Sequence, residues 1–184
     1  LNNNLRKYKL LEISSTILLA WSIYQLFIFR NLFIGDSEIH LIFAKNFING
    51  YFLEFNPGTK SGGESSFLYF IIISFLYKLF GIYSAYGMKI ISILSACWIC
   101  FQIFEINPSN NFFRKIIGAG LIACSASFTF QATSGMENIF FCATLLFFIS
   151  PELKSNLSLQ NKNVLIKSIG LFLLRPEGIL YPFF

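Results

Sequence analysis

Charged side chains are scarce in this chain of 184 residues. Asp, Glu, Lys and Arg together make up 12% of it, whereas a soluble domain typically carries about 25%. Hydrophobic residues make up 55%, which argues against a soluble globular domain. The same richness excludes disorder, because disordered chains combine low hydrophobicity with high charge.

Histidine, cysteine and the common catalytic motifs are also sparse. The chain has one His and four Cys, and no cysteine lies in a polar loop, so we expect no disulfide framework. Cys97 and Cys100 form a CxxC inside an apolar segment, where packing is the usual role. We find no Gly-rich phosphate loop, no GxSxG and no paired-His motif. With one His and no Cys beside it, we expect no metal site.

The basic residues do not indicate nucleic-acid binding. The formal net charge is +5, but the Lys and Arg residues are scattered at the ends of apolar segments rather than interleaved with aromatics in one patch. Such placement is typical of the flanks of membrane helices. The bilayer, rather than a nucleic acid, is therefore the expected partner of the basic residues.

The clearest apolar segment is Leu10–Phe29, preceded by Arg6, Lys7 and Lys9 and closed by Arg30. It is too long for the apolar part of a signal peptide and lacks a small-residue cleavage site. We predict an uncleaved transmembrane helix. The positive-inside rule places residues 1–9 in the cytoplasm and the chain from residue 31 outside.

Five further apolar segments predict an all-α, multi-pass transmembrane bundle in the inner (plasma) membrane. They are Phe67–Phe80, Lys89–Phe104, Ile116–Phe130, Ile139–Ile149 and Val164–Leu174. The first and fourth of them are short for a full span. We interpret residues 1–184 as one membrane domain. Because the chain begins with Leu and ends inside an apolar stretch, we expect the N-terminal part of a longer protein.

Residues 31–66 form the longest polar stretch and predict an external loop containing an interfacial helix. Asp36 is suited to cap a helix over 37–49, with Gly50 just beyond its C-terminus. Ile39, Phe43 and Phe47 form one apolar stripe, with Glu38, Lys45, Asn46 and Asn49 mostly off it. This pattern is typical of a helix lying on a membrane surface. Asn56-Pro57-Gly58 predicts a turn after it.

Three clusters of ionisable residues stand beside the apolar segments, where charges are usually functional. Asp36, Glu38 and His40 come first. Asp36 and His40 share a helix face, and the paired carboxylates suit a general base or a divalent cation bridging a phosphate. The alternative, which spacing alone favours, is an ordinary helix cap with a solvated face.

Glu137 belongs to the second cluster, Thr133–Asn138, and Arg175 and Glu177 to the third, Arg175-Pro176-Glu177-Gly178. A guanidinium fixed where proline breaks a helix suits a phosphate or pyrophosphate. The competing interpretations are a carboxylate at a helix N-terminus and a snorkelling arginine.

Taken in order, these motifs resemble the bacterial integral-membrane glycosyltransferases of the C superfamily, specifically the arabinofuranosyltransferase-like subgroup. The matching residues are Gly35-Asp36-Ser37-Glu38-Ile39, Phe43-Ala44-Lys45-Asn46, Asn49-Gly50, Leu53-Glu54-Phe55-Asn56-Pro57-Gly58, Gly63-Glu64-Ser65-Ser66-Phe67-Leu68, Thr133-Ser134-Gly135-Met136-Glu137 and Arg175-Pro176-Glu177-Gly178. The match spans nearly the whole chain but only the N-terminal part of a typical member. Gly35 stands where the family has the first Asp of a pair.

The resemblance implies transfer of a sugar from a polyprenyl-phosphate donor to an envelope glycan, lipid or protein acceptor at the outer membrane face. It implies Asp36 as the catalytic base and Arg175 as the cation facing the departing phosphate. Lys45 and Lys60 are weaker candidates for the cation, and Glu137 and Glu177 would orient Arg175 or the sugar hydroxyls. Glu38 and His40 complete the predicted substrate-binding set. No cofactor is expected, with a divalent cation as the open option.

Two other functions fit the sequence. One is an inactive remnant or an accessory subunit of envelope-glycan assembly. The other is a small transporter, although we find no internal repeat of the kind transporters carry. Under the charge rule, the three apolar segments between Asp36 and Glu137 place these residues on opposite faces. A common site therefore requires one segment not to span, and Phe67–Phe80 is the shortest of the three.

The predicted topology is tested by a single cysteine replacement in the external loop. In intact cells, Lys60→Cys should react with a membrane-impermeant thiol reagent, because residues 36–66 are expected outside. The unsubstituted chain with its four native cysteines is the control for background labelling. Labelling of Lys60→Cys only after lysis would contradict the orientation.

Overall fold

The structure is a computed structural model that describes residues 35–106, 112–155 and 164–183, together with single positions between 20 and 31. The predicted span Leu10–Phe29 lies almost wholly outside the described residues. The described part is mostly helical, which confirms the all-α class. Its elements are α1 (Gly35–Ile48), β1 (Glu54–Asn56), β2 (Thr59–Lys60), α2 (Phe67–Phe80), α3 (Ser84–Ile106), α4 (Phe112–Ala123), α5 (Ala126–Ser134), α6 (Glu137–Ser155), α7 (Val164–Leu174) and a terminal 3-10 helix (Pro176–Phe183).

Helix α1 ends as its sequence predicts. Gly50 has a φ of 92°, a conformation that glycine adopts at little cost. The Gly50 N–H donates to the Phe47 carbonyl at 3.0 Å and the Tyr51 N–H to the Asn46 carbonyl at 2.9 Å. This pair of bonds is the Schellman motif, which satisfies the last carbonyls of a helix. At the other end, the helix begins at Gly35, so Asp36 lies in the first turn rather than at the cap.

The buried face of α1 is more polar than the predicted stripe. Phe43 is buried as expected, but Ser37, His40 and Asn46 are buried as well. The placement of Asn46 off the buried face was wrong. Its amide donates to the carbonyls of Glu54 and Phe55, both at 2.8 Å, because the chain after α1 folds back over the helix.

A short β-hairpin, which the sequence analysis did not predict, follows α1. Strands β1 and β2 pair antiparallel, with Asn56 opposite Thr59, so that Pro57 and Gly58 form the two-residue turn. The φ of Gly58 is 92°, as the third position of a type II turn requires. The predicted turn at Asn56-Pro57-Gly58 is therefore confirmed.

Helices α2 and α3 form an antiparallel hairpin around a 3-10 turn at Gly81–Tyr83. The turn is permitted by Gly81, whose φ is 57°. Leu76 of α2 packs directly on Gly87 of α3, where an added Cβ would lie 3.0 Å from the Leu76 Cδ1. Helix α2 therefore runs away from α1, and α3 brings the chain back.

Most polar side chains of α3 are buried, beside Met88, Ala96 and Ile99, while several of its large apolar side chains are exposed. Its buried residues include Ser84, Ser92, Ser95 and Gln102. Large apolar side chains occupy the exposed face, namely Tyr86, Ile90, Leu94, Trp98 and Phe101. A helix in a water-soluble protein has the opposite arrangement, with an apolar face toward the core.

The predicted segment Ile116–Phe130 is two helices rather than one. Helices α4 and α5 meet at Cys124-Ser125 with a bend of 63° between residues 115–123 and 126–134. The Trp21 indole N–H donates to the Cys124 carbonyl at the bend, at 3.3 Å. A partner of this kind satisfies backbone that a broken helix exposes.

Helices α6 and α7 lie side by side, and the Lys167 ammonium donates to the Phe148 carbonyl at 3.2 Å. Helix α7 has the predicted bounds, and it ends before Arg175-Pro176 because proline cannot continue the helix. The terminal 3-10 helix folds back onto α7. A Cβ on Gly178 would lie 2.3 Å from the Leu171 carbonyl carbon, so only glycine fits there.

Two apolar clusters hold the helices together. One joins α1, α2, α3 and α7 through Ala44, Tyr69, Ile73, Met88 and Leu174. The other joins α3, α5 and α6 through Ala96, Ile99, Ala132, Ile139 and Ala143. Both clusters include α3, which is therefore the central helix of the described fold.

By length and composition, one described stretch is capable of crossing a membrane. It is Phe67–Ile106, which contains α2, the turn and α3, and only 28% of its apolar window is buried. The bent pair α4–α5 would make a second span. Helix α3 alone has 23 residues, or about 35 Å at 1.5 Å per residue, against a hydrocarbon thickness of about 30 Å.

The Schellman ending of α1 is tested by Gly50→Ala. Alanine in the left-handed region is strained by about 1–2 kcal/mol, so the melting temperature in detergent should fall by about 2–4 °C or more. Gly62→Ala is the matched control, since Gly62 has no positive φ and no atom near its added Cβ. Equal melting temperatures for the two variants would contradict the assignment.

Candidate functional site

His40 lies between two carboxylates. It is buried on α1, its Nδ1 is 2.8 Å from the Oε2 of Glu64, and its Nε2 is 3.0 Å from the Oε2 of Glu137. A neutral imidazole has only one N–H. Both ring nitrogens face an acceptor, so the geometry fits the doubly protonated imidazolium, which donates to both carboxylates.

The electrostatic surroundings favour the same protonation state. Burial by itself lowers the pKa of His40, but hydrogen bonds to Glu137 and Glu64 and the negative charges of these groups raise it to about 9. The opposing effects are those expected for a buried base with charged acceptors. At neutral pH His40 is therefore a cation.

Glu64 is held by the backbone at the start of α2. Its side chain is 1% exposed, and its Oε1 accepts the Ser66 N–H at 3.0 Å. The Ser66 hydroxyl donates to the Leu174 carbonyl at the end of α7. The loop before α2 is thus fastened both to α1, through His40, and to α7, through Ser66.

Tyr69 holds the turn that positions Glu137. Its hydroxyl donates to the Gly135 carbonyl at 2.8 Å, and its ring meets the His40 ring edge-on with centroids 5.1 Å apart. Gly135 has a φ of 78° and ends α5, and α6 begins two residues later. Glu137 therefore sits at a helix N-terminus, where the helix dipole favours a negative charge.

Arg175 extends the charged site to the surface. Its Nε is 3.6 Å from the Oε1 of Glu137 and 3.7 Å from the Oε2 of Glu177. Its Nη1 donates to the Asn138 Oδ1 at 2.8 Å, while the Asn138 amide donates to the Gln131 Oε1 at 3.2 Å. The Arg175 side chain is 33% exposed, although its Nε is buried.

Glu64, His40, Glu137 and Arg175 are called the charged quartet below. With all four ionised, the quartet contains two positive and two negative charges and is neutral. Neutrality reduces the cost of burying the individual charges, although each charge still needs its partner. Removing one member leaves an uncompensated charge in an apolar protein.

The predicted site residues fall into two groups. His40, Glu137 and Arg175 are brought together in the quartet, and Glu177 lies at its edge with a side chain that is 63% exposed. Asp36, Glu38, Lys45 and Lys60 are exposed, the first three on α1 and the last on β2. In the described part of the chain, none of these four forms a hydrogen bond or ion pair with the quartet.

Three separate parts of the chain contribute to this site: α1 with the loop that follows it, the start of α6, and Arg175 after α7. Between the first two parts the chain makes the α2–α3 hairpin and then returns through the bent pair α4–α5. The Ser92 hydroxyl of α3 donates to the Met136 carbonyl at 3.3 Å, so the middle of α3 passes the site. This path brings His40 to Glu137, as a common site requires.

Sequence reasoning assigned no role to Glu64, Tyr69 or Asn138. Glu64 appeared only within the stretch that resembles the family. Its signal was an acidic residue three positions before a strongly apolar helix, where an unpaired charge is expensive. Asn138 was included in the second cluster without a role, and Tyr69 carried no signal, because a tyrosine in an apolar run is common.

The described residues contain no group of three or more His, Cys, Asp and Glu side chains arranged to hold a metal ion. The two cysteines of the CxxC are free thiols on α3. Comparison with known proteins gives no relative: no family model, no curated protein and no solved structure matches this chain.

The charge on His40 makes stability depend on pH. The pKa of His40 is raised from 6.5 to about 9 on folding. Its contribution to stability should therefore be complete below pH 6.5 and be lost as the pH rises through 9. Melting temperatures in detergent should fall over this window, and His40→Gln should fall less steeply. Parallel curves for the two proteins would contradict the prediction.

Proposed function

We propose that this chain is a multi-pass membrane domain of a glycosyltransferase that moves a sugar from a polyprenyl-phosphate donor to an envelope glycan, lipid or protein acceptor. The carrying observation is the convergence of three separated motifs. The loop with Glu64, the Thr133–Asn138 turn and Arg175 lie far apart in sequence, yet Glu64 and Glu137 both contact His40, and Arg175 contacts Glu137.

The inverted polarity of α3 supports the membrane part of the proposal. Exposed leucine, isoleucine and aromatic side chains on a helix long enough to cross a bilayer are stable against lipid but not against water. Buried serines match the way membrane helices associate, through small residues and hydroxyl hydrogen bonds. The proposed location is the inner (plasma) membrane, with the site toward its outer face.

The proposed chemistry is a displacement at the anomeric carbon. The acceptor oxygen forms the new bond to carbon, its proton passes to Asp36, and the bond from carbon to the phosphate oxygen breaks. The bond electrons leave with polyprenyl phosphate. Asp36 is exposed on the first turn of α1, one helical turn from His40, so an acceptor has access to its carboxylate.

The departing phosphate needs a cation, and Arg175 supplies it in this proposal. Its guanidinium has planar, bidentate donor geometry suited to phosphate, and the side chain is partly exposed. Asn138 holds the Nη1 by a hydrogen bond, and Glu137 and Glu177 lie within ion-pair distance of the Nε. Lys45 and Lys60 are exposed cations in the same segment as Asp36, residues 31–66. They are secondary candidates for the cation, as is a divalent metal ion.

A second candidate is an inactive remnant or accessory subunit of envelope-glycan assembly. The observation that favours it is Gly35, which occupies the position of the first acidic residue in the resembling family. Asp36 is therefore not preceded by a second carboxylate that could take part in proton transfer or substrate binding. Activity of the wild-type chain separates the two candidates.

The experiment is transfer of labelled sugar from a polyprenyl-phosphate donor in membranes that contain the full-length protein. Asp36→Asn keeps the size of the side chain but removes its basicity. The rate should fall about a hundredfold to ten-thousandfold, as for loss of a general base. Asp36→Glu should also impair transfer, because a displacement of ångström scale is costly.

Glu105→Gln is the control for removing a carboxylate, since Glu105 is exposed near the end of α3. It should transfer sugar at the wild-type rate. Near wild-type turnover by Asp36→Asn at equal expression would remove Asp36 as the base. A wild-type protein that inserts stably but is inert with every such donor would support the inactive remnant.

A further inference from the structure

His40 occupies a position from which it cannot contact a substrate through its ring nitrogens. Its side chain is 6% exposed, and each nitrogen already faces a carboxylate oxygen. A direct substrate-binding role, which the sequence predicts, would require one of these bonds to be broken. The bond geometry therefore indicates a role that acts through Glu64 and Glu137.

In each of those carboxylates, the oxygen that does not face His40 contacts another group. The Oε1 of Glu64 accepts the Ser66 N–H, which fixes the start of α2. The Oε1 of Glu137 faces the Nε of Arg175 at 3.6 Å. His40 holds one oxygen of Glu137, and the backbone N–H of Glu137 also bonds its carboxylate. Together these bonds set the direction in which the second oxygen points.

We propose that His40 is a positioning residue, an imidazolium that turns Glu137 toward Arg175 and thereby fixes the guanidinium for binding a phosphate group. This role rests on the proposed function, because the phosphate is that of the polyprenyl-phosphate donor. Glu64 accepts a hydrogen bond from the other ring nitrogen, Nδ1, and so stabilises the doubly protonated imidazole.

Other groups near the ring do not supply an alternative partner. Tyr69 of α2 contacts the ring edge-on, and its hydroxyl is engaged with the Gly135 carbonyl. The charged groups that face His40 among the described residues are Glu64 from the loop and Glu137 from α6. Arg175 lies beyond Glu137. The order of contacts is thus Glu64, His40, Glu137 and Arg175.

The first test requires no ligand. The chain has one histidine, so selective labelling of histidine nitrogen gives one imidazole in the nuclear magnetic resonance spectrum of the protein in detergent. Both ring nitrogens should be protonated at neutral pH. Glu64→Gln and Glu137→Gln should each lower the pH at which the imidazolium of His40 loses a proton and becomes neutral. A neutral imidazole in the wild-type protein at neutral pH would overturn the proposal.

The second test measures transmission to Arg175. Binding of farnesyl phosphate to the full-length protein in detergent is compared with binding of farnesol and of inorganic phosphate. His40→Gln and Glu137→Gln should each weaken farnesyl phosphate binding on the order of tenfold. The double variant should bind no more weakly than either single variant, because both act along one path. Glu105→Gln should bind like the wild type.

The outcomes separate this inference from the proposed function. If the wild type binds farnesyl phosphate no better than farnesol, phosphate recognition at Arg175 is wrong and the positioning role fails with it, whatever the spectrum shows for His40. If the wild type prefers the phosphate but His40→Gln binds equally well, or its effect adds to that of Glu137→Gln, the positioning role is wrong while the function stands. Binding of inorganic phosphate as tight as that of farnesyl phosphate would support a site that recognises phosphate without its lipid chain.

Discussion

An imidazolium between two buried carboxylates sets the relative positions of α1, α6 and the loop before α2. Separating a buried ion pair by removing one partner typically costs about 3–5 kcal/mol, a large part of the net stability of about 5–15 kcal/mol that a protein has. The neighbouring bonds of Ser66, Tyr69 and Arg175 depend on where Glu64 and Glu137 lie. The apolar clusters bring the helices together, and the quartet fixes their register.

The polar interior also explains why the backbone turns where it does. Tyr69 donates to Gly135 and Ser92 donates to Met136, so the carbonyls of the α5–α6 turn are satisfied by α2 and α3. Buried carbonyls without partners are costly. The turn that presents Glu137 therefore depends on two other helices as well as on its own residues, since Gly135 supplies the left-handed conformation and the Ser134 hydroxyl accepts the Met136 N–H.

Much of the helix layout was predictable from sequence. The bounds of α2 and α7 follow from apolar runs closed by Gly81 and by Arg175-Pro176, and Gly50 marks the end of α1. The break between α4 and α5 was not predicted, because residues 116–130 contain no proline and their serine, threonine and glycine residues are common in membrane helices. The burial of Asn46 was missed for a related reason, since its partners are carbonyls of the later hairpin.

The site was predictable in its residue types but not in its pairings. Glu137 and Arg175 stood out as charges beside apolar segments, and His40 as the lone histidine. Their contacts join positions separated by 97 residues for His40 and Glu137, and no local pattern records such a pairing. Glu64 was overlooked because polar neighbours in the loop made its charge look ordinary.

Because large apolar side chains of α3 are exposed and serines are buried, the rotation of this helix about its own axis is not set by hydropathy. Its apolar residues surround most of the axis, so hydropathy alone distinguishes one rotation of the helix from another only weakly. Size and hydroxyl groups make the distinction instead, since Ala96 meets Ala132 and Ala143 in one cluster and Ser92 bonds to the turn before α6. Small side chains thus determine the rotation of α3 about its axis, and replacing one of its buried serines with a large apolar residue would remove this determinant even though it would make the helix more hydrophobic.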